Sequence, residues 1–238
     1  MRSLNLVRVC EHTFHLESPA DIQVVVDLGM NHGDFSTWIT QHTGALCYGA
    51  EPVPELFESL PRSERIAARQ VAIGGHAGIR KLSIPANSCA SLSETGIVGE
   101  AKSIDVEIVT FSSFIKSYGI HYIDLLKIDI EGAEIDMLGS MDDGLFDKIG
   151  QMTIEFHDFM KPSDRPLVKN LIKKIEDRGF FVINFGWKNF TDVMCINMKR
   201  FEVDLTAKCG MYFIKYYKGV ARILRRQFLH KAEHHSAV

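Results

Sequence analysis

The chain has 238 residues, 46% of them hydrophobic, and a formal net charge of -3. This suffices for one sizeable core, and the near-neutral balance gives no general reason to expect a nucleic-acid partner. No apolar run approaches the roughly 18–20 residues of a membrane span, and the first residues, with Arg2 and Arg8, lack the long apolar stretch of a secretory signal. Five scattered cysteines (Cys10, Cys47, Cys89, Cys195, Cys209) without CxxC spacing suit a reducing compartment, so the cytoplasm is expected.

In chain order, Ile22–Leu28 is a short β-branched run of the kind buried on both faces of a parallel sheet. It ends at Gly29–Met30–Asn31–His32–Gly33, and Phe35, Trp38 and Ile39 predict a helix over Asp34–His42. Leu46–Ala50 is a second strand, followed by Glu51–Pro52 and a helix that Pro54 opens and that runs to about Leu60. Ile66–Ile73 holds a third strand. Ile79–Ile84 and Asp105–Val109 alternate with period two around a polar loop at Pro85–Glu94, and Thr110 is placed to cap a helix over Phe111–Ser117. Tyr122–Ile130 is the clearest later strand, leading into a helix over Glu131–Leu138. Gly150–Phe156 follows, then an amphipathic helix over Leu167–Arg178. The last two strands are expected at Phe180–Phe185 and Met211–Tyr217, joined by a long connection. Strand–helix alternation closed by two strands without a helix predicts a seven-stranded, mostly parallel sheet with one antiparallel edge strand. No linker or repeat divides the chain, so 1–217 is expected to be a single domain and 218–238 a basic helix or tail.

Ligands of such sheets bind at the carboxyl ends of strands. The first loop reads GxxxG with Asp27 two residues ahead of Gly29, where a dinucleotide site reads GxGxxG. Asp27 would crowd a pyrophosphate but suits a ligand carrying an ammonium and a sulfonium. Glu51, at the next strand end, has the spacing at which an acid binds ribose hydroxyls, in either kind of nucleoside. The plainer alternative is a strand-to-helix turn beside a solvated acid.

Three segments together resemble the FkbM family of methyltransferases: Val26 to Ser36, Glu51–Pro52, and Leu125 to Glu134, which contains the run KIDIEGAE. Thr153–His157 resembles the family's following strand. The resemblance implies a class I methyltransferase (Rossmann-like) three-layer α/β sandwich, S-adenosylmethionine as donor, and O-methylation of sugar or secondary-metabolite hydroxyls. It implies that Asp27, Gly29, Asn31 and Gly33 surround the methionine portion and that Glu51 holds the ribose, with Met30, Ser36 and Pro52 also among the cofactor-binding residues. The Ala72 region and the loop with Ser91 would lie near the adenine, and Asp129 would face the reaction centre.

An alcohol must lose a proton as it is methylated, so a base is expected among Asp129, Glu131, Glu155, His157 and Asp158. His157 is the first choice, since an unperturbed imidazole titrates near neutrality; the plainer reading is a histidine that only hydrogen-bonds a carboxylate. Lys127 shares a strand face with Asp129 and is expected to position it by a salt bridge. No metal is expected; if one binds, Asp129, Glu131, Glu155 and His157 are the candidate ligands. Glu134 reads as structural, and His12, His15, His32, His42, His76 and His121 as dispersed surface or core residues. Trp187, Lys188, Asn189 and Asp192 suit a sugar face or an ordinary loop. The basic stretch with Lys218, Arg222, Arg225, Arg226 and Lys231 suits a docked helix or a peripheral membrane contact. The competing functions are an NAD(P)-dependent oxidoreductase and a noncatalytic nucleoside-binding module.

Overall fold

The computed structural model describes residues 5–84, 102–201, 208–213 and 215–216. In chain order the elements are β1 (Leu6–Val9), β2 (His12–His15), β3 (Val24–Leu28), α1 (Asp34–Thr43), β4 (Leu46–Ala50), α2 (Pro54–Ser59), β5 (Ile66–Arg69), β6 (Ala72–Gly74), β7 (Gly78–Ile84), β8 (Lys102–Thr110), α3 (Phe111–Ser117), β9 (Ile123–Ile128), α4 (Glu134–Ser140), α5 (Asp143–Phe146), β10 (Ile149–Ile154), α6 (Arg165–Asp177), β11 (Phe180–Asn184) and β12 (Val193–Asn197). All belong to one compact unit, Asn5–Phe201. Ser91, the loop around it and the basic stretch from Lys218 lie outside the described residues. No helix among the described residues is long and apolar enough to cross a membrane.

The main sheet has seven strands in the order β11-β12-β10-β9-β3-β4-β5. Its middle is built by the runs that read as doubly buried. Val26, Leu28, Leu126 and Ile128 point to one face and pack with Phe114 of α3, Met137 of α4 and Val168 of α6. Val25 and Leu125 point to the other and pack with Phe35 and Ile39 of α1 and Phe14 of β2. The period of two along each strand therefore splits the core into two layers. It also sends Asp27 and Lys127, which are of the same parity as Val25 and Leu125, to the face covered by α1 and β2.

Helix ends follow local chemistry. Pro54 opens α2, Thr110 caps α3 by accepting the Ser113 amide at 3.2 Å, and Gly179 follows α6 with φ 92°.

Several expectations need correction. The antiparallel strand is not at the edge: β12 lies one place in and runs antiparallel to both β10 and β11, leaving β11 outermost and parallel to the rest. β12 itself is Val193–Asn197, inside the stretch read as a connection. Residues 211–213 and 215–216 are helical, not a strand; a short apolar run does not distinguish the two by pattern alone. The stretch Ile66–Ile73 divides, β5 closing the main sheet and β6 joining β8 and β7 in a separate three-stranded sheet. α4 starts at Glu134, because Glu131 and Gly132 have left-handed φ values of 51° and 100°. The hairpin β1–β2 was not anticipated, since its turn, Cys10–Glu11, has φ values of 45° and 68° without the glycine or asparagine that usually signals such a turn.

Candidate active site

The carboxyl ends of β3, β4 and β9 meet at the first loop. Gly29 has φ 79°, and a Cβ there would lie 1.8 Å from the Asp129 carbonyl oxygen, so the two central strand ends approach as closely as only glycine allows. Met30 is buried with its sulfur against Gly49, whose Cβ would fall 2.1 Å from it, and Gly33 starts α1 in the left-handed region. The loop is held from the next strand by Glu51, which is only 4% exposed. Its carboxylate accepts the Asn31 amide at 2.7 Å and the Val53 amide at 3.0 Å, joining the glycine loop to the start of α2. Burial pushes the Glu51 carboxyl above its ordinary pKa, against the pull of those two amides.

Glu51 sits in a cleft of about 600 Å³. Gly29, Asn31, Asp129 and Glu131 line its polar end, and Val53, Leu56, Val71, Ala72, Ile73 and Leu82 its apolar walls; Pro52 also lines it. Of the expected cofactor residues, Gly29, Asn31, Glu51, Pro52, Ala72 and Asp129 thus face one space. Asp27, Met30, Gly33 and Ser36 do not line it. Ser36 Oγ donates to Asp27 at 2.6 Å from beneath, and Asp27 is fully buried.

Below the loop lies a chain of charge. Lys127 stands directly across from Asp27 in the β3–β9 register. Its Nζ is 3.1 Å from Asp27 and 3.5 Å from Asp129, and it donates to the Gly29 carbonyl. Burial works against the ammonium, but the two carboxylates outweigh it and raise the Lys127 pKa. Burial likewise opposes ionisation of Asp129, and Lys127, His12 and His157 outweigh that and hold its carboxyl well below the usual range. The expected Lys127–Asp129 pair is therefore present, with Asp27 as a second acceptor.

The base expected at His157 is corrected by its surroundings. Nδ1 lies 2.9 Å from Glu134 and Nε2 3.1 Å from Glu131. Burial alone would lower its pKa, but the hydrogen bonds to Glu131 and Glu134 push it up to about 11. It is an imidazolium at neutral pH, with no lone pair for a proton. Glu134 also accepts the Ile130 and Gly132 amides, fixing the turn that carries Glu131. Asp158 is likewise engaged elsewhere, accepting from Arg165 and from the Phe190 amide, both at 2.9 Å.

Glu155 is different. It is half-buried, and desolvation together with the Asp129 charge raises its pKa to about 7. It lines a second space of about 530 Å³ with Arg8, Glu11, Phe159, Asn189 and Thr191. Asn189 and Thr191 belong to the turn between β11 and β12, where Trp187 is 65% exposed rather than packed.

Sequence reasoning set His12 aside with the dispersed histidines. Pairing of β1 with β2 and docking of the hairpin on the sheet bring it to the site. Gln151 bridges the His15 amide and carbonyl at 2.9 Å each, and Asp192 accepts from the Thr13 amide and hydroxyl. His12 Nε2 ends 3.5 Å from Asp129 Oδ2. No local motif carries this contact, which spans more than a hundred residues, and His12–His15 are all buried in the folded chain.

A parallel sheet crossed by one antiparallel strand next to its edge, with a cleft and acids at the carboxyl ends of its central strands, is the arrangement of the class I methyltransferase fold. Residues 27–182 match the methyltransferase FkbM domain, and the chain belongs to that family of S-adenosylmethionine-dependent enzymes. It is 26% identical to methyltransferase sdnD of Sordaria araneosa, over 71% of this chain and 78% of that protein. It is 27% identical to the 31-O-demethyl-FK506 methyltransferase FkbM of Streptomyces tacrolimicus, over 57% of this chain and 65% of that one. Among solved structures it is similar to the Methanococcus jannaschii fibrillarin pre-rRNA processing protein, with a TM-score of 0.42 and 10% identity over 81% of each chain. That likeness is too loose to carry an argument about partner or substrate.

Proposed function

We propose that this methyltransferase transfers the methyl group to a hydroxyl oxygen of a polyhydroxylated small molecule, a sugar or secondary metabolite, bound in the space beside Glu155. The observation that carries the reading is that the cleft and this second space meet at two side chains: Asp129 lines one and Glu155 the other, with ligand-capable atoms within 4.8 Å of each other. The relative from Streptomyces tacrolimicus, named for a 31-O-demethyl substrate, supports an oxygen acceptor within the family.

S-adenosylmethionine fits the cleft in kind, with carboxylates at one end and an apolar slot at the other, and supplies a methyl group activated by a sulfonium. Glu51 holds the ribose hydroxyls, while Val53, Leu56, Val71, Ala72 and Leu82 wall the adenine. Gly29, Asn31 and Asp129 face the methionine end. Asp27, Met30, Gly33 and Ser36 act one layer below, shaping the loop and fixing Lys127. Glu155 accepts the acceptor's proton, since it faces the open groove while both nitrogens of His157 are occupied. Arg8, Glu11, Asn189 and Thr191 offer hydrogen bonds to the acceptor's other hydroxyls, and Phe159 an apolar face.

The test is methyl transfer from isotopically labelled donor into fractionated extract of the source cell, with mass spectrometry of the product. Label on oxygen of a hydroxylated small molecule is the expected result; label on nitrogen, carbon or a macromolecule overturns the acceptor assignment.

A further inference from the structure

We infer that the chain binds one divalent transition-metal ion through His12 Nε2 and the carboxylates of Asp129 and Glu155, where the cofactor cleft meets the acceptor groove. The first observation is His12. It is 1% exposed, its Nδ1 lies 3.3 Å from Thr153 Oγ1, and its Nε2 is a buried atom without a hydrogen-bond partner among the described residues. Nε2 is aimed at Asp129 Oδ2, 3.5 Å away, and with the ring proton on Nδ1 toward Thr153 its lone pair is available to an ion standing between the two.

The second observation is spacing. The three ligand-capable atoms lie within 4.8 Å of one another. On an ion with bonds near 2.1 Å, adjacent ligands sit about 3.0 Å apart and opposite ones about 4.2 Å, so the His12–Asp129 separation of 3.5 Å lies inside that range and the longer separations would contract on binding.

This set differs from the one expected from the sequence. Asp129, Glu131 and His157 also approach each other, but both nitrogens of His157 are committed to carboxylates, leaving no donor for an ion. His12 replaces it. One imidazole with two carboxylates favours Mn²⁺ or Fe²⁺ over Mg²⁺, which prefers all-oxygen sites. Gln151 and Asp192 dock the hairpin and thereby hold His12 in place without an ion. The role rests on the methyltransferase reading above: an ion here would orient the acceptor hydroxyl and lower its pKa, with one Glu155 oxygen on the ion and the other free for the proton.

The test uses the full chain stripped with chelator and titrated with Mn²⁺ by electron paramagnetic resonance, alongside calorimetry with S-adenosylhomocysteine. Wild type should bind one Mn²⁺, and His12→Asn and Glu155→Gln should each weaken it roughly tenfold or more. Glu155 is half-buried, so its variant serves if His12→Asn fails to fold. Failure to bind Mn²⁺, or wild-type binding by a folded His12→Asn or by Glu155→Gln, overturns the site. Mn²⁺ failure with intact S-adenosylhomocysteine binding sinks only the metal site; loss of the nucleoside in wild type strikes the methyltransferase reading itself.

Discussion

Replacing Glu51 with glutamine keeps the side chain's length and removes its charge. The carboxylate accepts two backbone amides, from Asn31 and Val53, one on each oxygen. A glutamine has one acceptor oxygen, so one of those amides must face its NH₂ group; an unsatisfied buried donor costs about 1–3 kcal/mol. Losing the charge also relieves the desolvation that raises the Glu51 pKa, which offsets part of that cost. Net stability should therefore change little, and cofactor affinity is the discriminating quantity. Charge-assisted bonds to ribose hydroxyls are roughly twice as strong as neutral ones, a difference of about 1–1.5 kcal/mol each. One or two such bonds predict a loss of about 1–3 kcal/mol, or roughly 5–150-fold in Kd. Isothermal calorimetry with S-adenosylhomocysteine at pH 7.5, on a variant whose circular dichroism matches wild type, measures this. A folded Glu51→Gln protein with wild-type affinity would refute the placement of the ribose.

Gly29→Ala should unfold the centre of the sheet. Its Cβ would fall 1.8 Å from the Asp129 carbonyl oxygen at a φ of 79°, so a loss of about 3 kcal/mol or more in urea denaturation is expected, and a loss under about 0.5 kcal/mol would contradict it. His157 has a folded pKa of about 11 against 6.5 for the free side chain. Its contribution to stability is complete below pH 6.5 and is lost as pH rises toward 11; His157→Gln should flatten that part of the stability–pH curve, and an unchanged slope counts against the imidazolium. Glu155 has a raised pKa, so the folded state holds its proton longer and stability falls between about pH 4.5 and 7. In chelator-treated protein, carbon-13 NMR should find its carboxyl titrating near 7; a midpoint near 4.5 would mean that neither burial nor the Asp129 charge raises it.

Much of the sheet and the cofactor loop was legible because both are local. β-branched runs mark β3 and β9, a glycine marks the tight turn after β3, and an acid at the end of β4 marks the rim of the cleft. What was not legible depends on partners distant in sequence. β12 is a short Val–Met–Cys–Ile–Asn run whose strand character comes from lying between β10 and β11. The N-terminal hairpin turns on Cys10 and Glu11, residues with no turn signature, so neither it nor His12 was placed. His157 was misjudged because the carboxylates that charge it, Glu131 and Glu134, reach it across the space between two strand ends. Its identity was readable, its protonation was not.

The central claim is that the cleft between Gly29, Glu51 and Asp129 holds the sulfonium nucleoside. A crystal structure of the chain with S-adenosylhomocysteine tests it most directly. The account predicts ribose oxygens within hydrogen-bond distance of Glu51 and the base against Leu56, Ala72 and Leu82. A nucleoside bound elsewhere, or turned so that its base lies beside Asp129 and Glu155, would contradict it.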